Sequence, residues 1–198
     1  VRGIAVTQIK KRNWRRWIYM KRCIAFLRGI NISGKNKIPM SELKAGFEEL
    51  GFTEVRTYLN SGNIIFSSDK DDNENFSGQL EAMINDRFDL DIPVFVIVKE
   101  ELEDILRNAP DWWNTGKKEI YDNLIFIMPP TTFTEVFREI GEPKEEFEKI
   151  TNYKKAVFWS FSRKDYQKTT WWPRTASASI SNRLTIRTAN TVKKIVGM

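Results

Sequence analysis

Three short stretches of this chain are apolar at nearly every successive position: "CIAFL" at 23–27, "NIIF" at 63–66 and "VFVIV" at 94–98. Neighbouring residues of a β-strand point to opposite faces of the sheet, so a strand with one wet face alternates apolar and polar residues. These strands do not alternate, and a sheet built from them needs cover on both faces. That requirement excludes an open sheet with helices on one side and water on the other.

The segments between the strands give the order of elements. Residues 22–28 read as a strand. Met40, Leu43, Phe47 and Leu50 then recur at helical spacing, with Pro39 before them and Gly51 as a stop. Residues 54–59 and 63–67 are two strands joined by Asn60-Ser61-Gly62, a hairpin signal. Phe76, Leu80, Met83, Ile84 and Phe88 mark a second helix, and residues 92–98 a fourth strand. The order β-α-β-β-α-β is that of the ferredoxin-like plait.

After a short helix near 100–108 and the connector "NAPDWWNTG", the pattern restarts. Residues 123–128 read as a strand, and Thr132 with Glu135 as a capping box. Phe133, Val136, Phe137 and Ile140 follow at helical spacing, ended by Gly141. "EFEKI" and "KAVFWSF" read as strands around a turn at Thr151-Asn152, and "RLTIRT" and "ANTVKKIV" as a last strand and helix. The tryptophan-rich segment 162–181 carries no clear signal. The expected fold class is α+β: two ferredoxin-like (βαββαβ) plaits packed together, plus a C-terminal helix. Helices cover only one face of a plait, so the other face of the first is expected to lie against the second half or the connector. The expected organisation is a first domain at 20–99, a connector at 100–121 and a second domain at 122–198. A chain of 198 residues suits two halves of about 80–100 residues each.

Composition removes several chemistries. The chain has no histidine, which excludes Ser–His and Cys–His nucleophile pairs and the usual zinc sites. Its one cysteine, Cys23, lies in an apolar run and forbids an internal disulfide. No apolar run approaches the roughly 18 residues of a membrane span, and a cytoplasmic location without membrane contact is expected. No cofactor and no metal are expected.

The net charge of +6 is unevenly placed. Six of the 32 basic residues and none of the 26 acidic ones fall in residues 1–19, so the remainder is neutral. Within that remainder, residues 151–198 hold ten Lys and Arg against Asp165 alone, and 20–150 carry the balancing negative charge. Such polarity fits intramolecular complementarity better than a polyanion footprint. The leader "VRGIAVTQIKKRNWRRWIY" does not resemble the rest. It is expected to stand apart from the fold, with Met20 as the natural start.

One loop is unusual. "RGINISGKNK", 28–37, carries Arg28, Lys35 and Lys37, two glycines and two asparagines, with no acid. In a plait the right-handed crossover makes strand two parallel to strand one, so the hairpin after strand two lies at the same end of the sheet as the loop after strand one. Arg28, Asn31, Ser33, Lys35 and Lys37 should therefore face Asn60, Ser61 and Asn63. Cations, amide donors and bare backbone N–H groups favour an anion. Each residue also has a plain structural reading as a turn former or a solvated charge.

The stretches "IAFLRGINISGKNKIPMSELK" and "GFTEVRTYLNSGNIIFSS" resemble the start of the DUF1697 family of uncharacterised bacterial proteins. "DWW" at 111–113 and "TIRTANTVKKI" at 185–195 are similar to its later part, extending the resemblance from Met20 to the C-terminus. Ser33, Asn60 and Ala189 differ from the glycine, glutamine and tryptophan frequent in the family. The resemblance implies two ferredoxin-like halves and a start at Met20; it implies no activity.

Three functions are compatible with these residues. The first is binding of a small anionic or phosphorylated ligand by Arg28, Asn31, Ser33, Lys35, Lys37, Asn60, Ser61 and Asn63. The second is nucleic-acid binding through basic edge loops and the C-terminal basic segment. The third is an enzyme without histidine chemistry, for which Ser33 or Ser61 beside Lys35 would imitate a Ser–Lys pair.

Overall fold

The computed structural model describes residues 20–70 and 75–198. The expectation for the leader, residues 1–19, falls outside them. The first half runs β1 (Lys21–Leu27), α1 (Met40–Glu49), β2 (Thr53–Tyr58), β3 (Asn63–Ser68), α2 (Phe76–Phe88) and β4 (Val94–Val98), with strand order β2-β3-β1-β4. After α3 (Lys99–Arg107) come β5 (Ile120–Ile127), α4 (Phe133–Ile140), β6 (Glu148–Tyr153) and β7 (Ala156–Ser162). Then follow α5 (Trp171–Ser177), β8 (Leu184–Thr188) and α6 (Ala189–Val196). The second sheet has order β6-β7-β5-β8, the same as the first, and every pair in both sheets is antiparallel. The molecule is thus α+β, with two ferredoxin-like halves and an added C-terminal helix.

Local chemistry accounts for most boundaries. The Thr132 side chain accepts from the Glu135 amide while the Glu135 carboxylate accepts from the Thr132 amide, which starts α4. Asn75 caps α2 by accepting from Gly78 N at 2.9 Å. The turn expected at Thr151-Asn152 lies instead at Lys154-Lys155. Thr151 and Asn152 continue β6, and Lys154 takes the left-handed conformation at φ 51°. Asn152 Nδ2 donates to Lys154 O and Ala156 O, so this turn-forming residue acts from inside the strand. The unreadable stretch 162–181 holds α5 between two short 3-10 turns, Tyr166–Lys168 and Ser179–Arg183.

Three apolar layers result. α1 and α2 cover one face of the first sheet, with Leu43, Phe47, Leu80 and Ile84 against Cys23, Ala25 and Phe66. The opposite face, with Ile24, Phe26, Ile65 and Ile97, packs on Leu124, Phe126 and Phe158 of the second sheet, joined by residues of α3 and α6. The third layer lies on the outer face of the second sheet, where Val136, Ile140 and Trp171 cover Ile125, Val157 and Trp159. The unbroken apolar runs of the first half are explained: one face meets helices, the other meets the second sheet. Part of the charge polarity is also settled between elements. Lys154 and Lys155 of the β6–β7 turn pair with Asp104 at 2.6 Å and Glu101 at 3.6 Å, both on α3.

Phe126 stacks between Phe26 and Phe95, with ring centroids 4.6 and 5.1 Å away. Phe126→Ala is expected to cost about 3–5 kcal/mol. Urea unfolding should still show one transition in which both halves melt together, because the lost ring belongs to both. Two resolved transitions in the unmutated protein would contradict the shared layer.

Candidate functional site

The loop 28–37 and the hairpin 59–62 share one rim. Leu27 N donates to Gly62 O at 2.8 Å, and Asn31 Nδ2 to Asn60 O at 2.9 Å. The loop closes on itself. Asn31 Oδ1 accepts from Ile38 N, Asn31 N donates to Asn36 O, Lys35 N to Ile32 O, and Asn36 Nδ2 to Gly29 O. Asn31, Ser33 and Asn36 all hold positive φ, at 54°, 50° and 47°. Asparagine tolerates that region better than most residues, and its short amide repays the strain with local hydrogen bonds. At Gly62, φ is +75° and an added Cβ would sit 2.7 Å from Leu27 Cβ, so the hairpin needs glycine there twice over.

Under this rim lies Arg187, from the inward face of β8. Its guanidinium is buried and donates to Leu27 O (2.7 Å), Ser61 O (3.0 Å), Gly62 O (3.1 Å), Thr185 Oγ1 and Ile186 O (2.9 Å each), and Asn63 Oδ1. It also lies over the Phe26 ring, 5.2 Å from the centroid. Burial pushes its pKa down to about 10, so it remains a cation at neutral pH. Arg28 makes the reverse crossing: its Nε donates to Leu184 O of β8 at 3.0 Å. Each half thus sends one arginine to backbone carbonyls of the other.

Beside Arg28 a cavity of about 480 Å³ opens between the loop, β8 and α5. α5 is fixed at its start by Glu148, a buried carboxylate of β6. Glu148 accepts from Thr170 N at 2.6 Å, from Trp171 N, and from Trp159 Nε1 at 2.9 Å. Trp171 then turns into the core, and its Nε1 donates to Gly141 O at 3.1 Å. The next residue, Trp172, faces the cavity with Pro173 and Ala176, opposite Ile186 and Leu184. Asn123 of β5 also lines it. Asn123 is 5% exposed, and its Nδ2 has no hydrogen-bond partner. Among the described residues the lining contains no carboxylate.

The model for a protein family of unknown function, DUF1697, matches residues 20–158. The chain belongs to that family. A solved structure similar to this chain is that of the conserved bacterial protein SP0830 from Streptococcus pneumoniae. It is 29% identical, with a TM-score of 0.79 over 90% of this chain and 98% of that one. An unknown protein from Galdieria sulphuraria is 9% identical over 85% of this chain and 97% of its own, with a TM-score of 0.24. No curated protein matches the chain. The family match ends at 158, whereas the resemblance extends to the C-terminus. The later piece, "TIRTAN", touches the earlier piece, "YLNSGN", through Arg187 and Asn63.

The DUF1697 rim distributes the expected site residues unequally. Arg28 lines the cavity. Ser33, Lys35, Lys37, Asn60 and Ser61 are exposed on the rim, and among the described residues no carboxylate pairs with either lysine. Asn31 and Asn63 are spent on the fold: Asn63 is fully buried, donating to Tyr58 O at 2.8 Å and Ser61 Oγ at 3.1 Å while accepting from Arg187. Among the described residues no hydrogen bond joins Lys35 to Ser33 or Ser61. Asn123, Trp172, Leu184 and Arg187 were not foreseen. For Arg187 a signal existed, since alternation in "RLTIRT" puts it on the face opposite Ile186.

Arg187→Met is expected to lower stability by about 3–5 kcal/mol, because the Leu27 carbonyl and the Asn63 amide oxygen are left as buried acceptors without this donor. Arg187→Lys should recover only part of that, since three donors on a point charge cannot replace a planar fork. Chemical denaturation of the three proteins decides; a lysine variant as stable as the parent would contradict the account.

Proposed function

We propose that this protein binds a small organic anion in the cavity between the 28–37 loop and α5. One observation supports the reading above others: a cation, Arg28, and Asn123, whose buried Nδ2 has no partner, line one apolar cavity without a carboxylate. Pockets for small molecules are mostly apolar, with a few polar groups that set orientation. Arg28 spends Nε on Leu184 O, and its two terminal nitrogens have no protein partner among the described residues. That leaves a fork suited to carboxylate or phosphate. Lys35 and Lys37, with Ser33, Asn60 and Ser61, stand outside the cavity on the same rim. They raise the positive potential along the approach and do not grip the ligand. Asn31 and Asn63 serve by holding the rim in shape.

The nucleic-acid alternative has less support. Plaits that bind single-stranded RNA use an open sheet face, and here those faces are buried on each other. Only an edge mode through Lys35, Lys37 and the 151–198 segment remains.

A thermal-shift screen of small carboxylates and phosphate monoesters, followed by calorimetry, tests the proposal. Arg28→Gln should weaken the best binder at least about tenfold, the order expected for one charge-assisted hydrogen bond. Lys35→Gln with Lys37→Gln should change it less than about threefold, and only at low salt. Binding indifferent to Arg28, or no binder at millimolar concentration, counts against it.

A further inference from the structure

We infer that the anion held in this cavity is a flat aromatic acid, a ring system seated on Trp172 with its acid group at Arg28. The inference rests on the small-anion reading and concerns the part of the ligand that carries no charge. Trp172 is 44% exposed and Ile32 57% exposed, and both line the cavity. Large apolar side chains left in water at the mouth of a cavity are what a ligand body would cover.

Trp172 is also unusually well held for an exposed side chain. Its ring meets Tyr166 and Phe161 edge-on, with centroids 5.0 and 5.5 Å away, and Trp159 at 6.4 Å. Its backbone N–H donates to Thr169 Oγ1 at 3.2 Å, and Thr175 Oγ1 returns a bond to Trp172 O at 3.1 Å. A fixed indole platform costs no ordering entropy when a ring stacks on it. Stacked rings gain beyond the area they bury, which a saturated body of equal size does not.

The polar groups agree with this assignment. Asn123 lines the cavity, and its buried Nδ2 has no acceptor. A ring nitrogen or ring carbonyl supplies one; an alkyl chain does not. A volume of about 480 Å³ holds a bicyclic acid.

The test is calorimetry on the full chain with three probes of one charge: 2-naphthoate, its fully saturated decahydro counterpart, and quinoline-2-carboxylate. Naphthoate should bind at least about tenfold tighter than the saturated acid, and quinoline-2-carboxylate tighter still. Trp172→Leu should reduce the first preference below about threefold, weakening naphthoate more than the saturated acid. Asn123→Leu should abolish the second preference. Arg28→Gln should weaken all three alike. Equal binding of aromatic and saturated acids that still depends on Arg28 overturns the aromatic assignment and leaves the anion site standing. Naphthoate binding that survives Arg28→Gln unchanged overturns the anion site itself. Failure of all three probes to bind at millimolar concentration overturns both.

Discussion

Arg187 is a buried cation that no carboxylate meets among the described residues. Its charge is spread over six acceptors, three of them backbone carbonyls of the first half and a fourth the amide oxygen of Asn63. Desolvating a guanidinium is costly, and burial accordingly lowers the Arg187 pKa. What the arrangement gives in exchange is position. Leu27 O, Ser61 O and Gly62 O all point at one nitrogen, Nη2. The end of β1 and the turn of the β2–β3 hairpin are therefore set relative to β8 by a single planar group. A hydrophobic contact in that place could slide; a fork with fixed donor directions cannot.

The rest of the interface is permissive by comparison. Phe26, Phe95 and Phe126 stack, and α3 and α6 close the sides with aliphatic residues. Such a layer supplies most of the area removed from water and little directional information. Arg187 and Arg28 supply the direction, one crossing each way. The layer holds the sheets together and the two arginines fix their register.

Much of this fold could be read from residues because the relevant signals were local. The Asn-Ser-Gly hairpin, the Thr132–Glu135 box and the helical spacing of Phe76 to Phe88 each depend on neighbours within a few positions. The misplaced β6–β7 turn shows the limit. Thr151 and Asn152 are good turn formers, but ladder pairing to Phe158 and Val157 holds them in the strand and moves the turn to Lys154. The site was harder for a related reason. Asn31 and Asn63 look the same in sequence whether they offer their amides to a ligand or to the backbone. Only the tertiary partners, Ile38, Asn60, Tyr58 and Arg187, decide. Asn123 and Trp172 belong to segments that meet only when the second half is assembled.

The internal likeness of the two halves explains why the cavity is where it is. The strand registers align β1 with β5 and β4 with β8: Leu27 pairs with Val94 as Ile127 pairs with Leu184, and Cys23 with Val98 as Asn123 with Thr188. Cys23 and Asn123 therefore occupy equivalent positions on the helix-bearing faces of their sheets. In the first half that face is roofed by α2, a helix of 13 residues, and Cys23 is sealed within the core. In the second half the corresponding helix, α5, has seven residues, about 10 Å of roof in place of about 20 Å. The missing turns leave Ile186, beside the buried Asn123, only partly covered, and Arg28 reaches over the edge from the other half. A gap left by faulty packing would be lined by apolar atoms that sacrifice dispersion contacts. Here the equivalent of a small apolar residue is an amide, and the rim carries a cation. That substitution of polar for apolar, beneath the shorter helix of the second half, is what the proposed anion site rests on.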